Sequence, residues 1–194
     1  MSTPRFVHLH LHSEYSLADS SIRIPDLVSR CAALGLPAVA VTDQSNLFSL
    51  VKFYKAAEPA GVKPIAGADV WLAQGDAPPA RLTLLCQDRE GYLALSRLLS
   101  RSYLDGHAGD HVELQPDWLY ADGRGLVALA GRESPIGRHL AAGRGEAVEQ
   151  VLDELMRAFP DRLYLELTRT GREGEEAFNA GAVELAGRHD LPLL

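Results

Sequence analysis

Short apolar runs alternate with amphipathic stretches along almost the whole chain, and this order constrains the fold more than any single motif. Residues 6–12, 38–42, 64–72, 82–87, 126–130 and 163–167 read as strands. Residues 25–34, 47–58, 90–104, 146–159 and 173–188 read as helices. In the first helix Leu27, Val28 and Cys31 share a face, Pro25 suits the first turn and Gly35 suits the exit. In the second, Leu47, Leu50, Val51 and Tyr54 fall at i, i+3, i+4 and i+7, and Pro59 stops it. Tyr92, Leu95, Leu99 and Tyr103 form a stripe on the third. Val148, Val151, Leu152, Leu155, Met156 and Phe159 mark the clearest helix, ended by Pro160. Strand–helix repetition predicts an α/β fold whose mainly parallel sheet is covered by helices or closed into a barrel. Residues 105–118 read as a loop or short hairpin and residues 74–79 as a surface turn. Leu191-Pro192-Leu193-Leu194 reads as the opening of another buried strand, which points to a piece of a longer protein.

The chain has 194 residues, 46% apolar and 23% charged, which excludes a disordered tail, a collagen-like repeat and a coiled coil. It can bury a sizeable core as one domain, residues 1–194. Nineteen basic against 26 acidic residues give a net charge of −7, a poor balance for independent DNA binding, which rests on phosphate neutralisation. Cys31 and Cys86 lie among apolar neighbours and form no Cys-x-x-Cys pair, so they read as buried reduced thiols of a cytoplasmic protein. Residues 1–6 carry no apolar leader, and no apolar run approaches ~18 residues, so neither a signal peptide nor a membrane span is expected.

The densest chemical signal is Val7-His8-Leu9-His10-Leu11-His12. In a strand Val7, Leu9 and Leu11 take one face and His8, His10 and His12 the other. Imidazoles two residues apart are separated by roughly 7 Å along a strand and can converge on one ion near its end. Spacing alone leaves two readings open, a metal site or a hydrogen-bonded, metal-free rim. Asp19, Asp43 and Asp69 follow or end predicted strands, where functional groups of parallel α/β barrels collect. Three acids and three histidines on one rim would form a metal phosphoesterase constellation. Taken singly, each Asp reads as a cap or turn residue; Asp43 precedes the helix near Leu47.

Other signals are weaker. The glycine pairs around Arg124 and Arg144 complete no phosphate-binding fingerprint. His107 and His111, with Asp105 and Asp110, read as a solvated loop. Arg97 and Arg101 read as an exposed basic face, and Ser13 and Ser16 have no base arranged for nucleophilic catalysis.

The run from His8 to Leu17, with Asp19, resembles the opening motif of the PHP (polymerase and histidinol phosphatase) superfamily. It is most similar to the PHP domains at the N-terminus of bacterial DNA polymerase III alpha subunits. Residues 37–43, 50–54, 61–69, 81–85, 125–129 and 159–167 continue the resemblance in the family's order. The resemblance implies a distorted seven-stranded β/α barrel with its last strand truncated. Several ligand positions of metal-binding members are altered. Gln44 follows Thr42-Asp43 where they carry His, and Asp69 replaces Glu. Arg81 and Arg132 stand at two further ligand positions, and Thr170 aligns with a His. His10, His12, Asp19 and Asp69 remain, with His8, Asp43, Gln44 and Thr170 as other rim residues.

Arginine cannot ligate a cation. The implied site is therefore vestigial, with Arg81 and Arg132 neutralising Asp19 or Asp69. No cofactor is expected; the alternative is a single weakly held divalent ion, zinc or manganese. The resemblance further implies a parent chain that copies DNA with magnesium in a separate palm domain and contacts DNA there. For this domain it implies a structural role, with the remaining polymerase domains and the proofreading exonuclease subunit as partners and no membrane. Two alternatives are an active metal-dependent phosphoesterase or proofreading nuclease, and the PHP domain of an error-prone polymerase paralogue.

Overall fold

The computed structural model describes residues 6–17, 19–108 and 111–194. The first five residues, part of the stretch read above as lacking a leader, and Asp110 lie outside the described residues. The chain forms two compact units, Met1–Asp69 and Val70–Leu194.

In the first unit α1 (Ile24–Ala33) has Pro25 and Asp26 in its first turn, where a missing N–H and a negative charge both suit a helix start. It leaves through Gly35 at φ 67°, a left-handed conformation that glycine adopts without strain. Leu27, Val28 and Cys31 are buried as expected, against Val39, Val41, Phe53, Ala57 and Val62. Next come β1 (Ala38–Val41), buried at every position, and α2 (Leu50–Ala57). The apolar stripe expected on α2 is corrected. Phe53 and Ala57 are buried, whereas Val51 and Tyr54 are 67% and 53% exposed. The helix starts at Leu50, so Leu50, Phe53 and Ala57 form the core-facing row at i, i+3 and i+7. The strand β2 (Lys63–Gln74) pairs in parallel with β1, from Ala38 opposite Lys63 to Val41 opposite Ala66. The predicted first strand is an extended segment with one isolated bridge, His8 to Val39. The Ala40 N–H donates to the His8 carbonyl and the Thr42 N–H to the Leu11 carbonyl, each at 2.8 Å, so it still runs alongside β1.

The second unit contains β3 (Ala77–Cys86), α3 (Arg89–Asp105), β4 (His107–Ala108), β5 (His111–Leu114) and α4 (Pro116–Ala121). It continues with β6 (Leu126–Ala130), α5 (Pro135–Ala141), α6 (Gly145–Ala158), β7 (Leu163–Leu165) and α7 (Glu175–His189). Its strands follow the order β4-β5-β2-β3-β6-β7, with β2 contributing Trp71 and Leu72 opposite Glu113 and Leu114.

The expectation of a mainly parallel sheet holds in part. Pairs β1/β2, β2/β5 and β6/β7 are parallel, but β3/β6 and β4/β5 are antiparallel. Only Gly75 and Asp76 separate β2 from β3, with Gly75 at φ 61°, so the chain reverses there and no crossover helix intervenes. The surface turn expected over 74–79 thus shrinks to two residues, and Pro78 and Pro79 lie at the strand start, where a missing N–H is tolerated.

Tyr92 and Tyr103 are 40% and 43% exposed; the buried face of α3 is Gly91, Ala94, Leu95, Leu98, Leu99 and Ser102. Gly91 has a packing reason: a Cβ there would lie 1.8 Å from the Gly125 carbonyl oxygen. The expected α6 row is buried at Val148, Leu152, Leu155 and Phe159. The tail pairs in parallel with β7, with Leu193 bridged to Leu165 and the Leu194 N–H donating to the Leu165 carbonyl at 3.1 Å. Leu193 and Leu194 are nonetheless 40% and 36% exposed rather than buried.

Candidate metal centre

All the retained acids and histidines of the sequence motif belong to the first unit. The parallel register of β1 and β2 is extended by a bridge between Gln44 and Asp69, which brings the end of one strand beside Asp69 of the other. Asp69 is 1% exposed and accepts hydrogen bonds at the same Oδ2 from His10 Nε2 and His12 Nε2, both at 2.9 Å. Donor atoms of these three residues lie within 4.8 Å of one another, the spacing one metal ion needs. Two imidazoles and a carboxylate form a donor set suited to zinc or manganese. The residues therefore fit one divalent ion.

Asp19 is placed differently. Its Oδ2 bonds His12 Nδ1, on the other side of the ring, and its side chain is 45% exposed. Burial pulls the His12 pKa down, but hydrogen bonds and charge from Asp69 and the hydrogen bond from Asp19 outweigh it, so the net shift is upward. Burial raises Asp69, yet the two imidazoles outweigh that cost and hold its carboxyl far below the usual range. An imidazole donating from both nitrogens is the cation, so without a metal the group is satisfied as a carboxylate–imidazolium cluster.

Asp43 does not join this group. It is 1% exposed, and its carboxylate accepts from the Ser13 N–H (2.7 Å), the Ser13 and Ser16 hydroxyls (2.7 Å each) and the Ser49 hydroxyl (2.8 Å). The cap expected of Asp43 is corrected, because it binds the side chain of Ser49, the residue preceding α2, rather than helix N–H groups. Sequence reasoning assigned no such role to the serines; the one available signal was three serines spaced around a predicted strand-end Asp. Gln44 donates its backbone N–H to the Ser16 hydroxyl at 3.0 Å, and His8 stacks edge-on with Phe6 at 4.7 Å.

The other altered positions belong to the second unit. The Arg81 guanidinium lies 5.9 Å from the Trp71 ring centroid, and its backbone N–H donates to the Glu133 carbonyl. Arg132 donates to Glu133 Oε1 at 3.2 Å and to the Glu173 carbonyl. Thr170 gives its hydroxyl and its N–H to Glu175, which also accepts from the N–H groups of Gly171 and Arg172. These bonds, the Thr170 hydroxyl foremost, hold the Glu175 carboxyl below the usual range. His111 lies 5.1 Å from Trp71, ring to ring. Arg97 and Arg101 are exposed as expected; Arg97 forms a forked pair with Asp122 (2.8 and 2.7 Å), and Arg101 covers Trp118 at 4.0 Å and lies 3.8 Å from Asp105. Burial pushes the Cys86 thiol up to about 12, which fits an inert sulfhydryl. Among the described residues no helix is long and apolar enough to cross a membrane.

A family model for the PHP domain matches residues 8–170. The DNA polymerase III subunit alpha of Xylella fastidiosa (strain Temecula1) is 50% identical over 209 residues, covering 100% of this chain and 18% of that protein. That of Pseudomonas aeruginosa is 46% identical over 195 residues, covering 99% and 17%. The chain thus spans less than a fifth of the length of these relatives. Among solved structures, a Bifidobacterium adolescentis protein assigned as a metal-dependent phosphoesterase shares the fold at TM-score 0.63 and 15% identity, over 98% of this chain and 86% of its own. The family model covers more than half of the chain, and the chain therefore belongs to the PHP domain family.

Proposed function

We propose that this chain is the N-terminal PHP domain of a bacterial DNA polymerase III alpha subunit and that it works as a scaffold, not as a hydrolase. The observation that carries this reading is 46–50% identity across essentially the whole chain to polymerase alpha subunits more than five times its length. The parent chain then synthesises DNA by magnesium-dependent nucleotidyl transfer in another domain, in the cytoplasm. The strands described above belong, in this reading, to the distorted barrel of the family, as one domain.

The donor inventory supports inactivity. A phosphoesterase of this family type gathers two or three ions, and this chain offers one compact three-donor group among the described residues. Gln44, Arg81, Arg132 and Thr170 stand where further ligands are needed. Two of them are arginines, whose permanently protonated guanidinium offers no donor atom to an ion. A single ion on His10, His12 and Asp69 would supply Lewis acidity and an acidified water. The freed role is docking: the exonuclease subunit of the replicase and the remaining polymerase domains are the proposed partners.

The convergence of His10, His12 and Asp69 favours a second reading, a hydrolase working with few ligands. Metal analysis and a phosphodiester hydrolysis assay on the purified chain separate the two. The scaffold reading expects at most one ion per chain, no hydrolysis with zinc or manganese, and co-elution with the purified exonuclease subunit. Hydrolysis with zinc or manganese that is lost in His12→Ala would establish the second.

A further inference from the structure

The carboxylate of Asp19 meets His12 at Nδ1, whereas Asp69 meets the same ring at Nε2. The two ring nitrogens point away from each other. An ion held by Nε2 together with His10 and Asp69 is therefore out of reach of a carboxylate bonded to Nδ1–H. We infer that Asp19 is a positioning residue for His12, not a metal ligand: it fixes the ring's orientation and proton so that Nε2 faces the His10–Asp69 pair.

The loop geometry shows how Asp19 is kept there without a metal. Ser16 is pinned to the buried Asp43 carboxylate through its hydroxyl, and its carbonyl accepts from the N–H groups of Asp19 (3.1 Å) and Ser20 (3.2 Å). The Ser20 hydroxyl then returns to the His12 carbonyl at 2.8 Å. The chain leaves His12, turns on the Asp43–Ser16 anchor and closes on its own starting residue, which presents Asp19 at the Nδ1 edge of the ring. A carboxylate that holds a ligating imidazole from behind orients it and raises its basicity.

This inference rests on the one-ion capacity proposed above, and the two fail in different measurements. Zinc binding to the unaltered 194-residue chain is followed by calorimetry with a competing chelator, alongside Asp69→Ala, Asp19→Ala and Asp19→Asn, each checked by circular dichroism to be folded at the assay temperature. The stoichiometry tests the scaffold reading, which two or more ions would sink. The pattern of affinities tests Asp19. Asp69→Ala should abolish binding, Asp19→Ala should weaken it by about 10- to 100-fold with unchanged stoichiometry, and Asp19→Asn, whose amide oxygen still accepts from Nδ1–H, should recover most of the loss. The assignment is overturned if Asp19→Ala loses binding as completely as Asp69→Ala, if it changes nothing, or if the unaltered chain takes up no zinc.

Discussion

Replacing Asp43 tests whether a buried carboxylate without a cationic partner in the serine cluster holds the first unit together. Asp43→Ala removes the acceptor for four donors: the Ser13 N–H and the hydroxyls of Ser13, Ser16 and Ser49. All three serines are at most 3% exposed, so water cannot replace the lost acceptor without opening the loop. A hydrogen bond to a charged acceptor contributes ~1.5–3 kcal/mol, so four at the lower end sum to roughly 6 kcal/mol. The hydroxyls can rotate toward other acceptors, but the Ser13 N–H is fixed by the backbone. Stranding that group alone costs ~1–3 kcal/mol, which sets the floor. The expected loss is therefore on the order of 3–5 kcal/mol, at the upper edge of what single substitutions do. Asp43→Asn keeps Oδ1 for the Ser13 N–H and Ser16, while its NH2 group can donate to the Ser13 and Ser49 hydroxyls once they turn to accept. It should cost less than half as much. Equilibrium urea unfolding, paired with hydrogen exchange of residues 13–17 and 19–20, measures both variants. An Asp43→Ala loss below about 0.5 kcal/mol, the level of an ordinary surface change, would refute the reasoning.

Three further outcomes are expected. His12 is raised, so its contribution is complete below its ordinary value of 6.5 and fades as pH climbs through the raised pKa. Asp69 is lowered, so its contribution is complete above 3.8 and fades on acidification through the lowered pKa. The stability gap between the unaltered chain and His12→Gln should then be widest between pH 3.8 and 6.5 and narrow on both sides, as read from melts across pH. Gly91→Ala drives a methyl group into the Gly125 backbone and should cost ~1–3 kcal/mol or more in urea unfolding; a neutral result would mean that contact is absent in solution. Arg132 has a side chain 35% exposed on partly exposed Glu133, so Arg132→Ala should shift stability by only ~0–1 kcal/mol. A drop of ~3–5 kcal/mol would mark it instead as the partner of a buried acid.

Helix and strand order was legible because long elements carry a full period of apolar residues. The row Val148, Leu152, Leu155 and Phe159 is an example. Short elements gave no such period. The helices at Pro116–Ala121 and Pro135–Ala141 span 6 and 7 residues, fewer than two turns, and were missed. A local signal did mark the second: Ser134 accepts from the Gly137 N–H, with Pro135 in the first turn. The faces of α2 and α3 were misjudged partly because Tyr54, Tyr92 and Tyr103 count as apolar in a periodicity reading yet keep their polar ends in water, and on α2 because Val51 is apolar but falls off the buried row. Strand direction was misread in part, for a different reason. The Gly75-Asp76 reversal is a two-residue event, while the expectation of parallel strands came from the element order as a whole.

Of the candidate site only part was legible, because the sequence carries residue types and spacing but not the side on which two groups meet. Alternation along the segment puts His10 and His12 on one face, and both bond Asp69, but it did not say which of Asp19, Asp43 and Asp69 they would meet. Composition could not tell which side of an imidazole each carboxylate would meet, nor that Asp43 would turn to three serines. Three aspartates therefore have three jobs: Asp69 closes the donor group, Asp19 bonds His12 from behind, and Asp43 anchors the loop carrying Asp19. Two of these jobs need no cation. Loss of the other ligand positions thus leaves the Asp43 anchor and the Asp19–His12 contact intact, because their geometry is fixed by serine hydroxyls and backbone N–H groups. The hydrogen bonds that hold this loop therefore do not depend on a bound ion, which is what the proposed scaffold role asks of them.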